Sequence, residues 1–64
     1  MKYKLNLDSV TVFNGNLSEL AKYMKEKHNL NRLEVNDKIL ELDTLRDKDL
    51  IFIGDKLYII LKLA

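Results

Sequence analysis

The segment Gly54-Asp55-Lys56-Leu57-Tyr58-Ile59-Ile60-Leu61-Lys62-Leu63 has the composition of a strand with neighbours on both edges. Read with period two, Leu57, Ile59, Leu61 and Leu63 form one wholly aliphatic face, and Tyr58, Ile60 and Lys62 form a mixed one. Gly54-Asp55 supplies the turn that precedes it. A strand apolar on both sides pairs on both edges and carries a packed layer on at least one face. The expectation is a central strand whose aliphatic face meets the core.

The rest of the chain has to provide that surrounding structure from few residues. Sixty-four residues make one domain, 1–64. A chain this short buries only about 60% of its unfolded surface, which leaves no room for a deep pocket. There is no cysteine, so neither a disulfide nor a thiolate metal site can brace the fold, and the 47% hydrophobic content must do so. Eleven basic residues against ten acidic ones give a net charge of +1, too little for dominant phosphate attraction or polybasic membrane anchoring. Residues 1–32 carry six Lys or Arg and three acids, whereas residues 33–64 carry five and seven. This polarity reads as solvated surface able to orient a partner. No run approaches the ~20 apolar residues of a membrane span, and no leader follows the first lysine, so a soluble, cytoplasmic protein without nucleic-acid or membrane partners is expected.

In chain order, Met1 to Leu7 alternates cleanly, with Met1, Tyr3, Leu5 and Leu7 on one side and Lys2, Lys4 and Asn6 on the other. After a turn near Asn6 to Ser9, Val10 to Phe13 resumes the alternation, giving a hairpin with Tyr3, Leu5, Val10 and Val12 inward. Asn16 followed by Glu19 forms a capping-box pattern, and Leu17, Leu20, Ala21 and Met24 continue at helical spacing, predicting a helix over 17–27. Lys25, Lys27 and His28 suit its negative end, and Asn29 a left-handed cap. Leu33 to Leu40 reads as two short strands about an Asn36-Asp37 turn, and 43–49 as a polar connection. Leu50 to Ile53 then enters the last hairpin. Strand, strand, helix, strand, short strand, strand is the order of an α+β, ubiquitin-like β-grasp: a mixed four- to five-stranded sheet with one helix packed on one face. Its first and last strands are expected side by side and parallel, with Tyr3, Leu5, Val12, Leu20, Met24, Leu57, Ile59 and Leu61 as the core.

No residue cluster spells a reaction. His28 has no second histidine or cysteine with which to share a metal and suits a helix end. Asp43, Asp47 and Asp49 lack the glycine and bidentate glutamate of a calcium loop and read as a solvated turn. Ser9 and Ser18 have no base nearby in sequence, and Gly15 and Gly54 are too isolated for a phosphate loop. No catalytic residue, metal site or cofactor is assigned.

Met1-Lys-Tyr-Lys-Leu-Asn6, Ser9-Val-Thr-Val12, Leu17-Ser-Glu-Leu-Ala21, Glu34-Val-Asn-Asp-Lys-Ile39 and Gly54-Asp-Lys-Leu-Tyr-Ile59 together resemble the ThiS sulfur carriers of thiamine biosynthesis, relatives of MoaD and ubiquitin. The resemblance covers the whole chain. It implies a β-grasp whose carboxyl-terminal Gly-Gly is adenylylated by a ThiF-type enzyme, converted to a thiocarboxylate and used by the thiazole synthase. This sequence has no glycine after Gly54, so Ala64 stands where the acyl end would be. The implied role is a degenerate sulfur carrier or a docking module for a ThiF-like adenylyltransferase or thiazole synthase. Phe52, Tyr58, Ile60, Lys62, Leu63 and Ala64 are the expected partner-binding residues, since a one-helix sheet leaves one face open. A second resemblance competes. Asp37 to Ile59 is similar to the second half of a LysM module and Val12 to Ala21 to its first, which implies binding of N-acetylglucosamine chains such as peptidoglycan in a shallow groove.

Overall fold

Asp8 and Ser9 both adopt positive φ, 50° and 67°, and close a tight hairpin between β1 (Lys2–Leu7) and β2 (Val10–Asn16) in the computed structural model, which describes residues 1–64. Asn16 ends β2 and caps α1 (Leu17–His28). Its side chain accepts from the Glu19 backbone N–H at 2.9 Å, and the Glu19 carboxylate accepts from the Asn16 N–H at 2.9 Å. Asn29 closes the helix in the left-handed conformation, its N–H donating to the Met24 carbonyl. The amino-terminal half therefore follows the sequence pattern closely.

The segment expected to form two short strands is instead a second helix, α2 (Arg32–Leu42). Asn31 and Glu34 build a second capping box with the same pair of hydrogen bonds, 2.8 and 2.9 Å. Val35, Ile39 and Leu42 then recur at i, i+4 and i+7 and turn one stripe toward the core, while Asn36 and Asp37 lie exposed on the outer side. An isolated hairpin of two three-residue strands would leave that stripe uncovered. Thr44 donates to the Glu41 carbonyl at 2.7 Å in the turn that leaves α2.

β3 (Lys48–Ile53) and β4 (Lys56–Leu63) form the closing hairpin, with Gly54 at φ 62° in its turn. The four strands make one sheet in the order β2-β1-β4-β3, and every pairing is antiparallel. The first and last strands are neighbours, as expected, but run in opposite directions, not parallel, and two helices cover the sheet, not one. These two corrections have one cause. A single helix after β2 would carry the chain to the far end of the sheet and set the last strand parallel to the first. Two helices, joined through Asn29–Asn31, travel out and back, so the closing hairpin starts from the same end and the pairing is antiparallel.

The core lies between this helical layer and one sheet face. Tyr3 and Leu5 of β1, Leu20 and Met24 of α1, Val35 and Leu42 of α2, Ile51 and Ile53 of β3, and Tyr58 and Ile60 of β4 are its ten buried side chains. Four of the eight expected core residues, Tyr3, Leu5, Leu20 and Met24, are among them. Leu57 and Ile59 are not: β4 has the opposite phase, because Leu5 pairs with Ile60 and Ile51 with Tyr58, and directly opposed residues share a face. Leu61 is half-buried on the other face. Val12 is displaced by a register shift between Leu5 and Asn6, so that Phe13 and Gly15, in place of Val10 and Val12, oppose Leu5 and Tyr3.

Candidate functional site

The phase of β4 reassigns the surface. Tyr58 and Ile60, expected on an open face, are 2% and 0% exposed beneath the helices and cannot meet a partner. Lys62 lies on the same covered side, where its Nζ donates to the Leu45 carbonyl at 2.7 Å. Phe52 and Leu63 do lie on the open face, and Ala64 is exposed beyond β4. The expected constellation is thus divided between the two sides of the sheet.

Around Tyr58 a small polar network threads the core edge. His28 Nε2 lies 2.5 Å from the Tyr58 hydroxyl, which lies 3.3 Å from the Tyr23 hydroxyl. Phe13 extends the cluster by packing on Tyr23 with ring centroids 5.2 Å apart. Burial, with the Tyr23 hydrogen bond second, pushes the Tyr58 phenol above its ordinary range, so it stays protonated. Burial also lowers the His28 imidazole below the usual 6.5, opposed by Asp55 and assisted by Lys56. The hydrogen bond between the His28 imidazole and the Tyr58 hydroxyl is a structural joint between α1 and β4.

A shallow groove of about 330 Å³ runs between α2 and the β3–β4 turn, lined by Leu30, Glu34, Asp37, Lys38, Glu41 and Gly54. Lys38 is paired with Glu41 at 3.2 Å. No group of three or more His, Cys, Asp or Glu side chains converges in a metal-binding arrangement. No helix is long and apolar enough to cross a membrane.

The larger feature is the uncovered sheet face. Opposed residues place Leu57 beside Phe52, Ile59 between Asn6 and Leu50, Leu61 between Lys4 and Lys48, and Leu63 beside Lys2. Phe52 is 59% exposed and Leu50 55%, and Leu57, Ile59 and Leu63 are also open to solvent. These side chains form one contiguous stripe along β3 and β4. By contrast, Leu33 and Leu40, exposed on α2, are separated by two helical turns and make no patch. A shallow hollow of about 260 Å³ opens beside Leu50 and Ile59, bordered by Arg46, Lys48 and Asp49. The Asp49 carboxylate is held below the usual range by the Arg46 and Leu50 backbone N–H groups, which donate to it at 3.0 and 2.8 Å.

Of the open-face apolar residues, Leu50, Leu57, Ile59 and Leu61 were missing from the sequence-derived site. The usable signal was the phase of the first strand: Lys2 and Lys4 must face water, and whatever pairs with them across the sheet faces the same way. Comparison of the chain with known protein families, curated proteins and solved structures finds no match.

Proposed function

We propose that this chain is a non-catalytic protein-docking module that acts through the open face of its sheet. The observation that carries the reading is the stripe of Leu50, Phe52, Leu57, Ile59, Leu61 and Leu63, left uncovered although the opposite face holds two helices. Withdrawing such a stripe from water supplies binding free energy at ~25 cal/mol per Å² before association costs are met. A flat face without enclosed volume suits a macromolecule better than a small molecule. A ThiF-like adenylyltransferase or a thiazole synthase, the partners implied by the ThiS resemblance, are candidates for that partner. The sulfur-carrier part of the resemblance gains no support from the antiparallel pairing of β1 and β4.

Site-specific photo-crosslinking tests the docking reading. A benzophenone side chain at position 52 is expected to trap a discrete adduct in extract from the cell of origin, and one at position 40, still more exposed on α2, is not. Equal yields at the two positions, or none at 52, would sink the proposal.

The groove beside α2 favours a second reading, the LysM-like one. Its shallow, carboxylate-bearing walls could accept hydrogen bonds from the hydroxyl and acetamido groups of an N-acetylglucosamine chain. Under this reading the chain co-sediments saturably with insoluble peptidoglycan and Asp37→Ala reduces retention. Absence of retention rules it out.

A further inference from the structure

The geometry points to an amphipathic helix with an acidic border as the element that covers the open face, an inference that rests on the docking reading above. Two dimensions and one charge pattern lead there. The stripe is two strands wide, ~10 Å, which is the diameter of one α-helix with its side chains. Along β4 it extends from Leu57 to Leu63, ~20 Å, or about four helical turns. A third layer of this kind converts a half-covered sheet into one with helices on both faces.

The charge pattern sets the border of that helix. Lys2 and Lys4 flank the stripe on the β1 side and Lys48 on the β3 side, so that Leu61 is bracketed by two lysines and Leu63 adjoins a third. No acidic residue is among the outward residues of the four strands. The acids lie in the turns, on the helices, or, for Asp49, opposite Ile60 at the sheet edge, where it borders the hollow beside Leu50 and is paired with Arg46 at 3.6 Å. A second copy stacked face to face, in either orientation, would offer these lysines no acidic side chain from its own outward residues, which disfavours self-association here. A helix whose apolar stripe is bordered by Glu or Asp would meet all three lysines at the rim, where such pairs fix orientation and rate. The hollow beside Leu50 and Ile59 offers a seat for one large apolar side chain of that helix.

Fluorescein-labelled peptides of about four helical turns test this directly. One carries a leucine stripe bordered by glutamates, and the other has lysines in place of those glutamates. With the wild-type chain, the glutamate peptide is expected to bind at least about tenfold more tightly than the lysine peptide. Lys2→Glu with Lys4→Glu should reverse that order, and Phe52→Ser should weaken binding of the preferred peptide by about tenfold or more, with circular dichroism confirming that each variant is folded. Equal binding of the two peptides, or indifference to Phe52→Ser, overturns the inference. If neither peptide binds while position 52 still cross-links, the helix inference fails and the docking reading stands; loss of both signals removes both. A dimer abolished by Phe52→Ser, or Phe52-dependent binding to anionic phospholipid vesicles without peptide binding, would also overturn it by assigning the face to a second copy or to a lipid surface.

Discussion

Ile59 and Ile60 are adjacent, chemically identical and energetically opposite. Ile60 is fully buried opposite Leu5, whereas Ile59 is 37% exposed between Asn6 and Leu50. Truncating Ile60 removes its transfer free energy and leaves a cavity, so Ile60→Ala should cost about 2–5 kcal/mol; Ile59→Ala should cost about 1 kcal/mol or less. Denaturant titration of the two variants reads the strand phase, and a larger loss for Ile59→Ala would reverse it. His28 supports a second residue-level prediction. Facing it are Tyr23 of α1, Tyr58 and Lys56 of β4, and Asp55 of the closing turn. Its folded pKa is depressed, so between that value and the ordinary 6.5 the unfolded chain binds more protons and stability rises with pH. The contribution is complete above 6.5 and is lost as pH falls through that window. The denaturation midpoint should therefore drop on mild acidification below neutrality, and His28→Gln should flatten the slope. An unchanged slope in that variant would show that the imidazole is not its source.

The two helices use the same local device. Asn16 with Glu19 and Asn31 with Glu34 each satisfy orphan backbone donors reciprocally and mark where a helix begins. The second box matters more. α1 has Lys25, Lys27 and His28 in its last turn and the left-handed Asn29 after it, whereas α2 has no basic residue in its last turn and ends in an ordinary right-handed Asp43. Asn31→Ala should therefore cost about 1 kcal/mol or more, a larger loss than Asn16→Ala, measured as the difference in thermal stability between the variants. Equal losses would show that the weaker carboxyl-terminal end of α2 does not make it more dependent on its cap.

For the molecule as a whole, the asymmetry between the two sheet faces governs solution behaviour. One face is closed by α1 and α2 over ten buried side chains, and the other presents an apolar stripe that nothing in the chain covers. Replacing Phe52 and Leu57 by serine removes exposed apolar surface without touching the core, so the double variant should retain stability within about 1 kcal/mol and, like wild type, remain monomeric. Light scattering alongside chemical denaturation checks both halves, and loss of folding would show that the stripe belongs to the core.

What the residues determined by themselves was local. The β1–β2 hairpin, the Asn16 and Asn29 caps and the span of α1 follow from interactions among residues within a few positions of one another, and the alternation of Lys2 and Lys4 with Tyr3 and Leu5 leaves only one inward face. The second capping box, Asn31 with Glu34, and the i, i+4, i+7 spacing of Val35, Ile39 and Leu42 are equally local, but Asn36-Asp37 between β-prone residues competes with them as a turn. The outcome of that competition reaches the sheet, since the number of helices crossed sets the direction of the last strand. The phase of β4, and with it the candidate site, was fixed only by tertiary structure. A strand apolar on both faces has two nearly equivalent phases by period alone. Its choice came from long-range partners: Leu5 opposite Ile60, Ile51 opposite Tyr58, and the pocket of Tyr23 and His28 that satisfies the Tyr58 hydroxyl. Burying that phenol with hydrogen-bond partners required one face to be the core, and the aliphatic face was left to solvent.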